Sequence, residues 1–141
     1  MKYGLIHASV AVMGTIGLVT APAAQALPPV PLASECSQWG FAGRSIIDET
    51  GTPWYVEFYS GGLRAVGGAT ASNGSDTKKG VVRGGITEDG RYNVSVDYDN
   101  GQHQLYTGVV GLDGVASGVT SNGINAESGH RFTSRLDCLD P

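Results

Sequence analysis

The sequence predicts an all-β protein: a single eight-stranded antiparallel up-and-down barrel closed by one disulfide, with a β-sandwich as the alternative. Three observations predict it. Short runs alternate apolar and polar residues, and no stretch repeats apolar residues at i, i+3, i+4 and i+7 over three turns. The chain holds 22 glycines, about twice the usual share, mostly at or near turns between those runs. Two cysteines, Cys36 and Cys138, stand far apart, one before the first run and one in the last.

The first 26 residues read as an export signal. Lys2 supplies the charge, a mostly apolar run extends from Ala8 to Thr20, and Ala24-Gln25-Ala26 offers small residues for cleavage. The run is too short for a bilayer span of about 20 residues, so no membrane span is expected. Residues 27–35 contain three prolines in LPPVPLAS and are expected to form an extended arm. Residues 36–141 are expected to be the barrel domain. A lipid anchor on Cys36 is not expected, because Glu35 stands where a small residue is needed.

The clearest strand is 91–99. Tyr92, Val94, Val96 and Tyr98 fall on one face, with Arg91, Asn93, Ser95, Asp97 and Asp99 on the other. Asn100-Gly101 follows, and a two-residue loop there predicts that Tyr98 pairs with His103 and Val96 with Leu105. Glu88-Asp89-Gly90 and Leu112-Asp113-Gly114 suit three-residue loops with a left-handed glycine. The first puts Ile86 opposite Tyr92. The second puts Val109 opposite Ser117, with Val115 and Val119 on the same inner face.

Extending outward gives strands at about 37–46, 53–60, 62–70, 79–87, 91–99, 102–110, 115–120 and 130–138, with boundaries good to a few residues. Such a meander leaves two open edges unless it closes. A Cys36–Cys138 disulfide would bring the first and last strands together, and in the chain-entropy model a loop of that size contributes about 4–5 kcal/mol. A disulfide implies an oxidising compartment, so the protein is expected to be secreted.

Charge narrows the partners. The chain has 9 Lys+Arg and 13 Asp+Glu, and Lys2 lies in the signal, so the exported part is one charge more negative than the −4 of the whole. Nucleic acid is therefore not an expected partner, and a monomer is the expected state.

The segment YTGVVGLDGVASGVT (Tyr106 to Thr120), the signal ending APAAQA and the cysteine near each end of the exported chain resemble small secreted mycobacterial β-barrel proteins of unassigned function. That resemblance implies an avidin-like or lipocalin-like barrel outside the cytoplasm. It carries over no ligand residues. The avidin biotin contacts are not intact, and Gln38-Trp39-Gly40 has its glycine after the tryptophan, unlike the lipocalin Gly-x-Trp opening.

Catalytic signals are absent. There is no Gly-x-Ser-x-Gly elbow and no His-x-x-x-His pair, and Asp97 with Asp99 reads as a solvated face. No cofactor or metal is implied, and the protein is expected not to be an enzyme. Inward aromatic residues carry more information: Trp39, Phe41, Trp54, Phe58, Tyr92, Tyr98 and Phe132, set among small Ala65, Gly67, Gly84 and Ser117. Trp39, Trp54, Phe58, Tyr92, Tyr98 and His103 are the candidate ligand-lining residues. His103 is placed inward at a barrel mouth, able to titrate near pH 6.5, and His130 starts the last strand. On the opposite face, Tyr55, Glu57 and Tyr59 near Arg64 are candidates for surface contact.

Two functions remain. The first is recognition of another protein or a host or envelope component through the outer surface. The second is carriage of a small apolar ligand inside the barrel. A cavity of several hundred Å³ lined by Trp54, Tyr92, Tyr98 and His103 would favour the carrier, and a filled interior would favour the surface.

Overall fold

The computed structural model describes residues 36–122 and 129–140, and the expected signal and proline-rich arm lie outside them. The described residues form nine strands and no helix: β1 (Gln38–Thr50), β2 (Tyr55–Gly62), β3 (Gly67–Ser72), β4 (Thr77–Ile86), β5 (Arg91–Tyr98), β6 (His103–Val110), β7 (Val115–Ser121), β8 (Arg131–Arg135) and β9 (Asp137–Asp140). Consecutive strands from β1 to β8 pair antiparallel, and β1 also pairs with β8, so the sheet closes into an eight-stranded up-and-down barrel. Closure excludes the sandwich.

The last expected strand, 130–138, is broken in two. Leu136 leaves the ladder, is 4% exposed, and donates its amide to the Gly114 carbonyl at 2.8 Å. Burying this side chain takes one residue out of register. β8 then holds the C-terminal part of β1 (Ile47↔Ser134) and β9 its N-terminal part (Trp39↔Cys138). Cys36 and Cys138 are bonded, with their Cα atoms 5.7 Å apart, closing a loop of 102 residues. The third strand also starts later than expected, because Ala65 turns into the interior and its amide bonds to the Gly84 carbonyl at 3.0 Å.

A chain of rings fills the middle of the barrel. Phe58 meets Phe41 at 5.5 Å, Phe41 meets Tyr92 at 6.2 Å, Tyr92 meets Phe132 at 5.4 Å and Phe132 meets Tyr106 at 5.4 Å between centroids. Tilted and edge-on pairs of this kind add about 0.5–1.5 kcal/mol each beyond the burial of their area. Glycine stands across the ladder from two of these rings. Gly108 pairs with Tyr92 and Gly118 with Phe132, and a Cβ at either glycine would run into the carbonyl of the strand beside it.

The Asn100-Gly101 turn differs from expectation. Tyr98 N donates to Gln102 O at 2.8 Å and Gly101 N to Tyr98 O at 2.9 Å, which makes a three-residue loop. Gly101 has φ 83°, and among the described residues none but glycine has positive φ, so Asn100 does not enter the two-residue turn that needs it left-handed. Instead the Asn100 carboxamide accepts the Gln102 amide at 3.0 Å. The loops at Gly90 and Gly114 close as expected, with Ile86↔Tyr92 and Val109↔Ser117.

One residue of slip at Asn100 pairs Asp97 with His103 and Val94 with Tyr106. It also exchanges the faces of β6 and β7. Tyr106, Ala116 and Thr120 point in, while Val109 and Val119 stand 61% and 53% exposed and Ser117 is exposed. The gain is burial of the Tyr106 ring against Phe132, with its hydroxyl donating to Glu49 Oε1 at 2.8 Å.

Candidate ligand cup at one mouth

Above the ring-filled middle, the strand ends at one mouth leave a cavity of about 580 Å³. Its lining comes from the end of β1 (Glu49), Trp54 just before β2, the start of β2 (Val56), the end of β3 (Ala71), the start of β4 (Lys78) and the end of β5 (Tyr98). Gln102, His103, Thr120 and His130 complete the rim and floor.

The β1–β2 turn locks two of these residues together. Glu49 N donates to Trp54 O at 3.1 Å, and Thr52 both donates to Glu49 O at 3.2 Å and accepts Trp54 N at 3.2 Å. Alternation then sets direction. Ile47 is fully buried, so Glu49 two residues on faces the same way at the strand's end. Val82 is likewise buried, and the same count along β4 brings Lys78 to the mouth.

The floor is mostly apolar, with the hydroxyls of Tyr98 and Thr120 as its polar groups. Val56, Ala71 and Thr120 are buried there. Burial pushes the Tyr98 hydroxyl up to about 12, partly offset by its hydrogen bond with Tyr106. Burial raises Tyr106 further, reinforced by the charges of Tyr98 and Glu49. Both hydroxyls therefore keep their protons at neutral pH. On the wall, Lys78 Nζ lies 4.7 Å from the Trp54 ring centroid and 6.0 Å from that of Tyr98. It donates to Gln102 Oε1 at 2.8 Å, an oxygen that also accepts Asn100 Nδ2 at 3.0 Å. On the rim, His103 Nδ1 sits 2.6 Å from Asp97 Oδ1.

Three of the six candidate lining residues meet here: Trp54, Tyr98 and His103. His103 does not point inward as expected: the slip pairs it with Asp97 on the outer face, where it is exposed and only borders the rim. Phe58 and Tyr92 are buried in the ring-filled middle. Trp39 lies at the other end, beside Cys36, in a groove of about 260 Å³. Glu49, Lys78, Gln102 and Tyr106 escaped the sequence reading. The first two were legible as charged ends of inward alternations.

Around the outside, Tyr55, Glu57 and Tyr59 share the outward face of β2, but Arg44 rather than Arg64 joins them. Arg44 Nη2 lies 2.6 Å from Glu57 Oε2, which raises the guanidinium's pKa and holds the carboxyl below its usual range. Arg64 bridges the backbones of Gly61 and Gly85. Among the described residues no cluster of three or more His, Cys, Asp or Glu could hold a metal, and no helix is long and apolar enough to cross a membrane. The disulfide is compatible with an oxidising, extracytoplasmic location. Comparison with protein families, with curated proteins and with solved structures found no match.

Proposed function

We propose that this protein is a secreted, non-catalytic barrel that binds one small ligand in the cup at its open mouth. The observation that carries this reading is a cavity of about 580 Å³ standing on a filled aromatic core. That volume is within the range of small-molecule sites, about 300–1,000 Å³. Because the middle is occupied by Phe41, Phe58, Tyr92 and Phe132, the ligand sits at the mouth and not along the axis. Its walls combine two aromatic faces with Glu49, Lys78 and Gln102, so the ligand is amphipathic rather than purely apolar. The signal-like first 26 residues support export.

Trp54 is the reporter. Of the two tryptophans only Trp54 lines the cup, so Trp39→Phe leaves a single probe. Titrating that variant with aromatic, cationic, carbohydrate and lipidic compounds is expected to shift or quench Trp54 emission, with a one-to-one adduct in native mass spectrometry. Unchanged emission and no adduct across the whole panel would overturn the reading.

Recognition through the outer wall has separate support, because Val109 and Val119 expose apolar surface on adjacent strands. Photocrosslinkers placed at these two positions would test it in envelope extract and host lysate. Absence of any product specific to them would remove it.

A further inference from the structure

Lys78 has an unusual setting. Its ammonium stands over the Trp54 and Tyr98 rings and bonds to a neutral amide, and among the described residues no carboxylate lies within 4 Å of it. Glu49 lines the same cavity, yet among the described residues no basic group lies within 4 Å of it either. Its Oε1 is taken by the Tyr106 hydroxyl at 2.8 Å, which fixes the carboxylate. A positive and a negative side chain thus share one cup without pairing.

Ring faces carry the negative part of the aromatic quadrupole and attract cations. They repel an anion, and so do a carboxylate on the cup wall and a chain of net charge −4. A sugar would need the ring faces open for stacking, and Lys78 covers them.

We propose that the cup selects an organic cation, an amine or quaternary ammonium, that displaces the Lys78 ammonium from Trp54 and Tyr98 and faces Glu49. Lys78 is then a resident competitor. The inference rests on the cup reading above and names its ligand class.

The sign of the Lys78 effect separates this from other ligands. If Lys78 were a ligand-binding group, removing it would weaken binding. As a competitor, its removal strengthens binding. The probes are choline and its neutral carbon isostere 3,3-dimethylbutan-1-ol, read by Trp54 emission in full-length Trp39→Phe protein. Choline is expected to bind at least about tenfold more tightly than the isostere, because only the cation gains from ring faces and carboxylate. Lys78→Met is expected to strengthen choline binding about two- to fivefold, and Glu49→Gln to weaken it about tenfold. Lys78→Gln serves as the second variant should the methionine form fold poorly, and circular dichroism checks both.

Equal affinity for choline and isostere, or weaker choline binding in the Lys78 variants, would overturn the cation inference. Binding of a sugar or carboxylate in place of choline would overturn it while leaving the cup reading standing. Silence from every compound would overturn both.

Discussion

The two ends of the barrel are closed by different means. At one end Cys36 is bonded to Cys138, Ser37 Oγ donates to Asp140 Oδ2 at 3.1 Å, the Trp39 ring lies on Gly114, and Leu136 is buried against the same turn. At the other end the strand tips carry Glu49, Lys78, His103 and His130 around an open volume. Unpaired polar groups cost stability when they are shielded from water. One stapled end and a packed middle leave the opposite mouth free to carry charged side chains at the edge of the core. Rigidity and a candidate site are thereby placed at opposite ends of one sheet.

Breaking the pinned end should have the largest effect. Replacing both cysteines with serine is expected to lower stability by about 4–5 kcal/mol, seen as an earlier urea midpoint, with reduction of the parent protein giving the same shift. A midpoint unchanged by either treatment would show that the staple carries no share of stability. Removing the plug comes next. Phe132 is 1% exposed between Tyr92 and Tyr106, so Phe132→Ala is expected to cost about 3–5 kcal/mol in the same assay. A loss well under that would mean the rings do not separate the two ends.

Alkali should act on the buried tyrosines, at the open end and in the plug, where burial also raises the Tyr92 hydroxyl. Tyr98 has its hydroxyl raised from 10.0 to about 12 by burial, and Tyr106 is raised further. The unfolded chain releases these protons first, so the native form binds more protons above pH 10 and its stability falls as pH rises toward 12. Below pH 10 the contribution is fully present. Thermal midpoints across the alkaline range should decline from about pH 10, and Tyr98→Phe should flatten part of the decline. The smallest effect is expected at the open rim. Gly101→Ala puts a Cβ at φ 83° and should cost about 1–2 kcal/mol, while leaving the stabilising effect of the disulfide intact.

Much of this architecture was legible because period-two alternation and cysteine placement are properties of the chain itself. The Tyr92–Tyr98 face, the loops at Gly90 and Gly114, closure of the sheet and the Cys36–Cys138 bond all follow from them. Asn100-Gly101 misled because the dipeptide suits both a two-residue and a three-residue loop. The choice was made by burying Tyr106 against Phe132 and Glu49, residues 26 and 57 positions away in sequence. The cup was half legible for a related reason. Trp54 and Tyr98 show as inward aromatics, but Glu49 and Lys78 look like ordinary surface charges until the alternation is carried to the strand ends.

The seam that turns the sheet into a ring is sewn with two threads. Leu136 splits the final strand, so β8 joins β1 by backbone bonds alone, while β9 joins it beside the sulfur bridge. Cutting the sulfur should therefore let a short hem fray at β9 while the hoop through β8 stays whole. Amide exchange would show this as quickened exchange at 137–140 with little change at 131–135.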